Sequence, residues 1–292
     1  VMCDTVQKSG SDAAIVRIHN KDKAIAVSVD SSANYCKSYP AHGGKQIVCE
    51  NWRNLIAVGA KPLAITNCLN FGNPENQEIM GEFTECLEGV KEACNFLNYP
   101  VVSGNVSFYN GTNKKNIYPT PVIGGVGLIK KLSKPMSHNF KQANSAIILI
   151  GKTFGHIEQS CFLKENYSIT DGMPPEINLV NEKNNGESLL KLINKNLILS
   201  AHDVSNGGLI TALAEMALTS NYGAKIHKPK KLTNLFKYFF GEDQARYIIE
   251  IQTQNLPMVG QILGESNIYY ENIGFTQENY FEIEGELKIS TK

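Results

Sequence analysis

An apolar run that stops abruptly at small and polar residues constrains this fold most, in residues 100–110 (PVVSGNVSFYN). Val101 and Val102 are β-branched and predict the end of a buried strand. Gly104 lets another group approach the backbone closely. Asn105 offers an amide oxygen that can ligate Mg²⁺ or accept a hydrogen bond from a phosphate-bound water. Ligands of α/β proteins bind at the carboxyl ends of strands, so this junction is a candidate ligand site. An ordinary strand-to-turn junction explains the same residues, because Ser, Gly and Asn are also turn residues.

Composition limits the classes of protein that remain. The 292 residues, 42% of them hydrophobic, predict a globular protein of about two domains. Twenty-eight basic and 28 acidic residues cancel, which argues against a nucleic-acid or membrane partner and implies that any phosphate ligand is held locally. The seven cysteines lack C-x-x-C spacing, which favours a reducing cytoplasm over a disulfide framework or a structural zinc site. The start at Val1 suggests a piece of a longer protein.

Alternating strand and helix patterns predict an α/β (α+β) fold class. In the first domain we predict a hairpin (13–18 and 24–29), a helix opened by two glycines (45–58), a strand (62–69), a helix (75–98) and a glycine-broken strand (121–129). A basic, polar linker (130–143) then leads to a strand (146–150), a helix (176–193), a strand (197–201), a helix (209–218) and a loop with a strand (241–251).

Candidate metal ligands lie at two places in the first domain. Asp30 follows a predicted strand, where turn amides could equally satisfy its carboxylate. Glu50 and Asn54 are four residues apart, so both side-chain oxygens lie on one face of a helix and could hold one cation. An exposed polar helix face is the more common reason for such a pair.

A second candidate site precedes the predicted helix at residue 209. The segment 202–208 (HDVSNGG) brings Asp203, Ser205 and two glycines to the free N–H groups of a helix start, which suits a phosphate and its metal. Simple helix capping by Ser205 or Asn206 is the alternative.

Five segments carry a resemblance to a known family: residues 41–75 (AHGGKQIVCENWRNLIAVGAKPLAITNCLNFGNPE), 100–110, 118–129 (YPTPVIGGVGLI), 200–218 (SAHDVSNGGLITALAEMAL) and 240–246 (FGEDQAR). Together they resemble the phosphoribosylformylglycinamidine (FGAM) synthase family, in the later half of the small bacterial synthetase subunit. Through that family, the chain also resembles the wider AIR-synthase-like superfamily, to which the family belongs. The resemblance implies two α/β domains, residues 1–132 and 133–292, with mixed sheets packed against helices. These two domains form one unit, and the complete subunit carries two such units in tandem.

The same resemblance implies an activity and a set of partners. The reaction would be ATP-dependent amidation of formylglycinamide ribonucleotide, a small-molecule substrate, with ammonia from glutamine. Expected partners are the missing N-terminal half of the subunit, a glutaminase subunit and a small bridging subunit, and the isolated half could form a homodimer. A non-catalytic half that only holds a nucleotide, or another enzyme of the superfamily, are the alternatives.

Site residues also follow from the resemblance. It implies that Asn67 and Gly104 contact ATP, Asn105 binds Mg²⁺ and Ser107 meets the substrate; the family usually has Asp where Asn67 stands. It further implies a pseudo-symmetric second site. The metal ligands of that site would be Asp30, Glu50, Asn54 and Asp203, and Ser205 would contact the nucleotide.

Overall fold

The computed structural model describes residues 5–7, 10–113, 115–132, 135–229 and 234–291. Its strands are β1 (Ala14–Arg17), β2 (Ala24–Asp30), β3 (Lys61–Asn70), β4 (Val101–Ser107), β5 (Gly111–Thr112), β6 (Lys115–Asn116), β7 (Thr120–Ile129), β8 (Ala146–Ile150), β9 (Ser200–Asp203), β10 (Tyr222–Ile226), β11 (Tyr247–Ile251), β12 (Tyr270–Glu278), β13 (Tyr280–Ile283) and β14 (Leu287–Ser290). Its helices are α1 (Ala33–Ser38), α2 (Pro40–Ala57), α3 (Gln77–Leu97), α4 (Cys161–Tyr167), α5 (Leu179–Asn194), α6 (Gly208–Leu218), α7 (Leu235–Phe240) and α8 (Leu256–Glu265).

Two main sheets organise the described residues, one before residue 130 and one after residue 145. The first has the strand order β1-β2-β7-β3-β4, in which β3 and β4 run parallel and the other neighbours antiparallel. The second has the order β14-β13-β10-β12-β8-β11-β9, which places β9 at an edge. This architecture confirms the predicted fold class, whereas the domain boundary after Leu132 stays a prediction because residues 133 and 134 lie outside the described ranges.

One hydrophobic cluster joins the two sheets. It contains Ile47 and Leu55 of α2 together with Ile148 of β8 and Ile249 of β11, all fully buried. Because apolar burial contributes roughly 25 cal/mol per Å², this shared core holds α2 against the second sheet. The fold therefore brings the polar residues of α2 close to the ends of β9 and β11.

The start of α2 differs from the sequence prediction. The helix begins at Pro40, so Gly43 and Gly44 lie inside it and do not open it. A Cβ at Gly43 would lie 2.6 Å from the Cys36 sulfur, and one at Gly44 would lie 2.2 Å from the Cys86 carbonyl oxygen. The two glycines therefore let α1 and α3 pack closely against α2, which is a tertiary requirement and not a helix-start signal.

Strand β4 also differs from its prediction as a buried strand that ends at Val102. It continues to Ser107, and 71% of the Val102 surface is exposed. Within the described residues β4 pairs with β3 alone, at the edge of its sheet. Val101 and Val102 were therefore wrongly placed in the core, because β-branched residues suit an exposed edge strand as well as a buried one.

The glycine-broken strand is continuous in the structure, since β7 pairs with β2 and β3 throughout its length. A Cβ at Gly125 would lie 1.8 Å from the Asn51 side-chain oxygen and 2.1 Å from the Tyr99 hydroxyl. The glycine therefore makes room for α2 and does not interrupt the strand. No helix in the described part of the chain is long and apolar enough to cross a membrane.

Candidate functional site

Asp30 is held at the end of β2 by three polar side chains. Its carboxylate accepts hydrogen bonds from Ser28 Oγ at 2.7 Å, Asn51 Nδ2 at 2.7 Å and Asn54 Nδ2 at 2.8 Å. Burial raises the pKa of Asp30 above its usual range, although these hydrogen bonds oppose the shift. Asp30 and Asn54, which the sequence analysis assigned to one metal site, are therefore in direct contact.

Glu50 lies one helical turn before Asn54 on α2 and accepts a hydrogen bond from the Gln46 amide. The pKa of Glu50 is raised to about 7, mainly by burial and also by the nearby carboxylates of Asp30 and Glu242, against the opposing effect of Arg53. A carboxylate with this pKa is poised to lose its proton when a cation arrives.

Arg53 lies between Glu50 and Asn54 in sequence and is completely buried. Its guanidinium donates to Glu182 Oε1 of α5 at 2.6 Å and to the side-chain oxygen of Gln244 at 2.9 Å. Its Nε atom is 3.9 Å from Asp203 Oδ2. Arg53 therefore connects the first sheet's main helix to three parts of the second half of the chain.

Asp203 lies at the end of β9 with only 3% of its surface exposed. Its pKa is raised to about 8, mainly by burial and then by the Asp12 carboxylate, although His202 and Arg53 lower it. Its Oδ2 atom is buried and has no hydrogen-bond partner in the described part of the chain. A buried carboxylate oxygen in this state is a natural cation ligand.

Three of the four residues assigned to the second metal site, Asp30, Glu50 and Asp203, thus interact electrostatically with Arg53, while Asn54 contacts Asp30. Among the described residues, the group of acidic, His or Cys side chains whose ligand atoms all lie within 4.8 Å of one another is Asp12, His202 and Asp203. Asp30, Glu50 and Asn54 still fit Mg²⁺ chemically, because carboxylate and amide oxygens are the ligands that this ion prefers. Asp203 could add a further oxygen, since among the described residues its Oδ2 atom has no hydrogen-bond partner.

Ser205 precedes α6, whose first turn is built differently from the prediction. The residue that caps the helix is Gly207, with φ +78°, so within the described residues neither Ser205 nor Asn206 serves as the side-chain cap. The Gly207 N–H donates at 2.7 Å to Glu242, which also accepts from the Cys161 N–H at 2.7 Å. The Gly207 N–H, which we expected to be free to bind a phosphate, therefore already donates its hydrogen bond to Glu242.

The strand pair β3–β4 brings the other predicted residues together. Asn67 pairs with Gly104, Cys68 with Asn105, and Asn70 with Ser107. A Cβ at Gly104 would lie 2.0 Å from the Asn67 side-chain oxygen. Ser107 Oγ lies 3.2 Å from the Asn110 side-chain oxygen.

The two predicted sites are connected through one row of the first sheet. Ile123 of β7 is paired with Asp30 of β2 on one side and with Asn67 of β3 on the other, and Asn67 is paired with Gly104. Neighbouring strands lie about 4.8 Å apart, so Asp30 and Gly104 are separated by about 14 Å.

Sequence reasoning missed Arg53, Glu182, Asp12, His202 and the amide-binding role of Glu242. Arg53 had a signal, because a basic residue inside a predicted core helix requires a buried partner. Glu182 had none, since a Glu in the middle of a polar helix is typical of a solvated face.

Comparison with known proteins identifies the family. Residues 10–129 match the model for the N-terminal domain of AIR synthase related proteins, and residues 142–283 match that for the C-terminal domain. This chain belongs to the AIR synthase related family. Within that family it is 56% identical over 99% of its length to phosphoribosylformylglycinamidine synthase subunit PurL of Pelagibacter ubique, and 45% identical over 99% to the PurL subunit of a Bradyrhizobium species. It spans only about 40% of the length of these relatives.

Solved structures of AIR synthase related architecture share the fold. The Thermotoga maritima PurL complexed with FGAR superposes with a TM-score of 0.80 over 99% of this chain and 48% of that one, at 16% identity. The same PurL complexed with ATP gives 0.77 over 96% and 45%, at 17% identity. A protein of Thermus thermophilus gives 0.71 over 94% and 90%, at 16% identity. At these identities the likeness shows the fold alone.

Proposed function

We propose that this chain is part of an FGAM synthase synthetase subunit and serves the ATP-dependent conversion of formylglycinamide ribonucleotide to formylglycinamidine ribonucleotide in purine biosynthesis. The observation that carries the proposal is the 56% identity to a PurL subunit along 99% of the chain. We place the enzyme in the cytoplasm, as a ligase that uses glutamine as the amide donor through a separate glutaminase subunit and a small bridging subunit.

The chemistry requires positioning more than a nucleophile. ATP would transfer its terminal phosphoryl group to the amide oxygen of the substrate, and ammonia would then displace phosphate to give the amidine. Such transfers depend on fixed donors and on cations that neutralise phosphate charge. We assign Asn67 and Gly104 to ATP, Asn105 to Mg²⁺ and Ser107 to the substrate, which agrees with their adjacent pairing on β3 and β4.

An open edge supports a site shared with the missing half of the subunit. In the described residues β4 is an edge strand, and Asn105 and Val106 on it are exposed. A second AIR synthase related unit placed against this edge would supply the opposite wall of the cleft. The isolated chain, which lacks that unit, is expected to be inactive alone.

The outer face of the first sheet supports the same arrangement. Helix α2 covers one face, whereas apolar side chains on the other face remain exposed, namely Ile25, Val29, Leu63 and Val126. Contiguous exposed apolar surface of this kind marks an interface. In the complete subunit the other unit would cover it, and in the isolated chain a second copy would.

A scaffold role is the second candidate function. Asp30, Glu50, Asn54 and Asp203 lie within this chain around the buried Arg53, and with Ser205 they could hold Mg²⁺ and a nucleotide permanently. In that case the unit would stabilise the rest of the enzyme without contributing to turnover.

A chimeric subunit tests the enzyme proposal. The 290-residue matching segment of the Pelagibacter ubique PurL subunit is replaced by this chain, and FGAM formation is assayed with formylglycinamide ribonucleotide, ATP, Mg²⁺ and ammonium. We expect turnover in the chimera and its loss in Ser107→Ala and Asn105→Ala variants. Ser103→Ala is the matched control, because Ser103 lies on the same strand and contacts Thr66 Oγ1 at 2.7 Å.

The outcomes separate the two candidates. Turnover that survives both Ser107→Ala and Asn105→Ala would reject a catalytic role for β4. If turnover is instead lost on Glu50→Gln together with loss of a bound nucleotide, the scaffold role is favoured. A folded chimera with no FGAM synthase activity would reject both assignments to this enzyme.

A further inference from the structure

A cluster of ionisable side chains lies outside the row of residues assigned to nucleotide and substrate. His202 of β9 has its Nδ1 atom 2.6 Å from Asp12 Oδ1 and 3.9 Å from Asp203 Oδ1. The three ligand atoms lie within 4.8 Å of one another. Asp12 precedes β1, so the cluster joins the beginning of the first half of the chain to an edge strand of the second.

The second nitrogen of His202 has a carboxylate partner of its own. Its Nε2 atom is 2.9 Å from Glu215 Oε2 on α6. Metal-bound histidines commonly donate their other N–H to a carboxylate, which fixes the ring orientation and strengthens the ligating nitrogen. Glu215 occupies that outer position, while Asp12 and Asp203 lie on the ligating side of the ring.

The spacing needs only small changes to hold a metal. Zn²⁺ bonds of about 2.0–2.2 Å place tetrahedral ligand atoms about 3.4 Å apart. The Asp12–His202 distance of 2.6 Å would open, and the His202–Asp203 distance of 3.9 Å would close. The metal would replace the proton on His202 Nδ1, which would leave to solvent.

Charge and burial add an independent observation. Asp203 is only 3% exposed, and its Oδ2 atom, 3.9 Å from Arg53 Nε, has no hydrogen-bond partner among the described residues. Three carboxyl groups surround the single imidazole of His202, and Arg53 Nε lies 3.9 Å from Asp203, so acidic groups outnumber basic ones around the cluster. The Glu215 side chain is 55% exposed, which leaves a route from solvent to the cluster.

We propose that Asp12, His202 and Asp203 form a binding site for a divalent transition metal of the Zn²⁺ class, which clamps the segment before β1 to strand β9. The nitrogen ligand distinguishes it from the all-oxygen Mg²⁺ site assigned to Asp30, Glu50, Asn54 and Asp203. Asp203 would be shared, with Oδ1 toward His202 and Oδ2 toward Arg53. The proposal does not require the proposed function.

Cobalt substitution tests this site in the untagged full chain. Metal is first removed with a chelator, and Co²⁺ is then titrated into the protein. The visible absorption spectrum reports whether Co²⁺ has a nitrogen ligand and a low coordination number. Equilibrium dialysis followed by elemental analysis gives the number of Co²⁺ ions bound per chain. We expect one equivalent per chain, displaced by Zn²⁺ and not by Mg²⁺. Glu215→Gln should weaken Co²⁺ binding by about tenfold to a hundredfold, as loss of an outer-shell partner does.

Ligand variants identify the site. His202→Asn and Asp12→Asn should each abolish the cobalt spectrum, with circular dichroism confirming that the proteins fold. His227→Asn is the control, because His227 is exposed and its Nδ1 lies 3.5 Å from Glu284. Binding that survives both His202→Asn and Asp12→Asn, or no Co²⁺ binding beyond that of surface histidines, would overturn the proposal. Loss on Glu50→Gln but not on His202→Asn would also overturn it, by placing the ion in the Mg²⁺ site.

Discussion

Arg53 of α2 donates a 2.6 Å hydrogen bond to Glu182 of α5, and neither side chain is exposed to solvent. The residues are 129 positions apart in sequence and belong to the two halves of the chain. Arg53 also follows Glu50 and precedes Asn54, both assigned to a metal site. The same buried pair therefore sets the relative position of the two sheets and of the candidate ligands.

Removal of the Arg53 charge should destabilise the whole chain. Arg53→Met leaves Glu182 buried and unpaired, and loss of one member of such a pair costs about 3–5 kcal/mol in free energy of unfolding. Equilibrium urea unfolding measures this loss. Lys91→Met is the control, because its ion pair with Glu88 is exposed and should contribute about 0–1 kcal/mol. Equal losses in both variants would show that the buried pair is not the connection between the sheets.

Substitution of Gly104 should displace Asn67. Gly104→Ala places a Cβ 2.0 Å from the Asn67 side-chain oxygen, so we expect loss of stability and about tenfold weaker binding of ATP, measured by calorimetry with Mg²⁺. Adding Asn67→Ala should restore the stability, because the clash is removed, but not the affinity. Restored affinity in the double variant would show that neither residue contacts the nucleotide.

Stability of the metal-free protein should depend on the protonation of Glu50. Burial raises its pKa from the ordinary 4.5 to about 7, so the folded chain binds this proton more tightly than the unfolded chain does. The free energy of unfolding should therefore fall as the pH rises from about 5 to about 7, by on the order of 2 kcal/mol. Urea unfolding in a chelating buffer measures the slope, to which Asp203 adds up to about pH 8.

Glu50→Gln should remove much of this slope, since the variant side chain does not titrate. Glu88→Gln, on the exposed surface of α3, should leave the slope unchanged. A slope that is identical in wild type and Glu50→Gln would contradict the assignment of the pH effect to this carboxyl group.

The exposed face of the first sheet should drive self-association of the isolated chain. Val29 is 67% exposed on the outer face of β2, and Val126 is 38% exposed on the same face of β7. We expect sedimentation to show a dimer that Val29→Glu with Val126→Glu dissociates. Leu218→Glu is the control, because Leu218 is 80% exposed on α6, away from this sheet. A wild-type chain that stays monomeric at high concentration would contradict the prediction.

Local sequence patterns predicted most elements well, for physical reasons. The alternation of buried Ala24, Ala26 and Ser28 with exposed neighbours matches a strand with one covered face. The apolar spacing of α3 matches a helix with one buried stripe. Where prediction was wrong, at the start of α2 and at β4, the cause was packing between distant segments, which periodicity does not record.

By itself the sequence determined the fold class, the order of strands and helices and, through its long motifs, the family. Only the tertiary structure decided that Asp30, Asn67 and Gly104 share one row across the sheet, because strand register is set by pairing between distant segments. It also decided that Asp12 meets His202 and that Arg53 meets Glu182, 190 and 129 positions away. Such contacts arise when an apolar core packs two sheets together, and buried charges must then find partners among the residues that packing brings near.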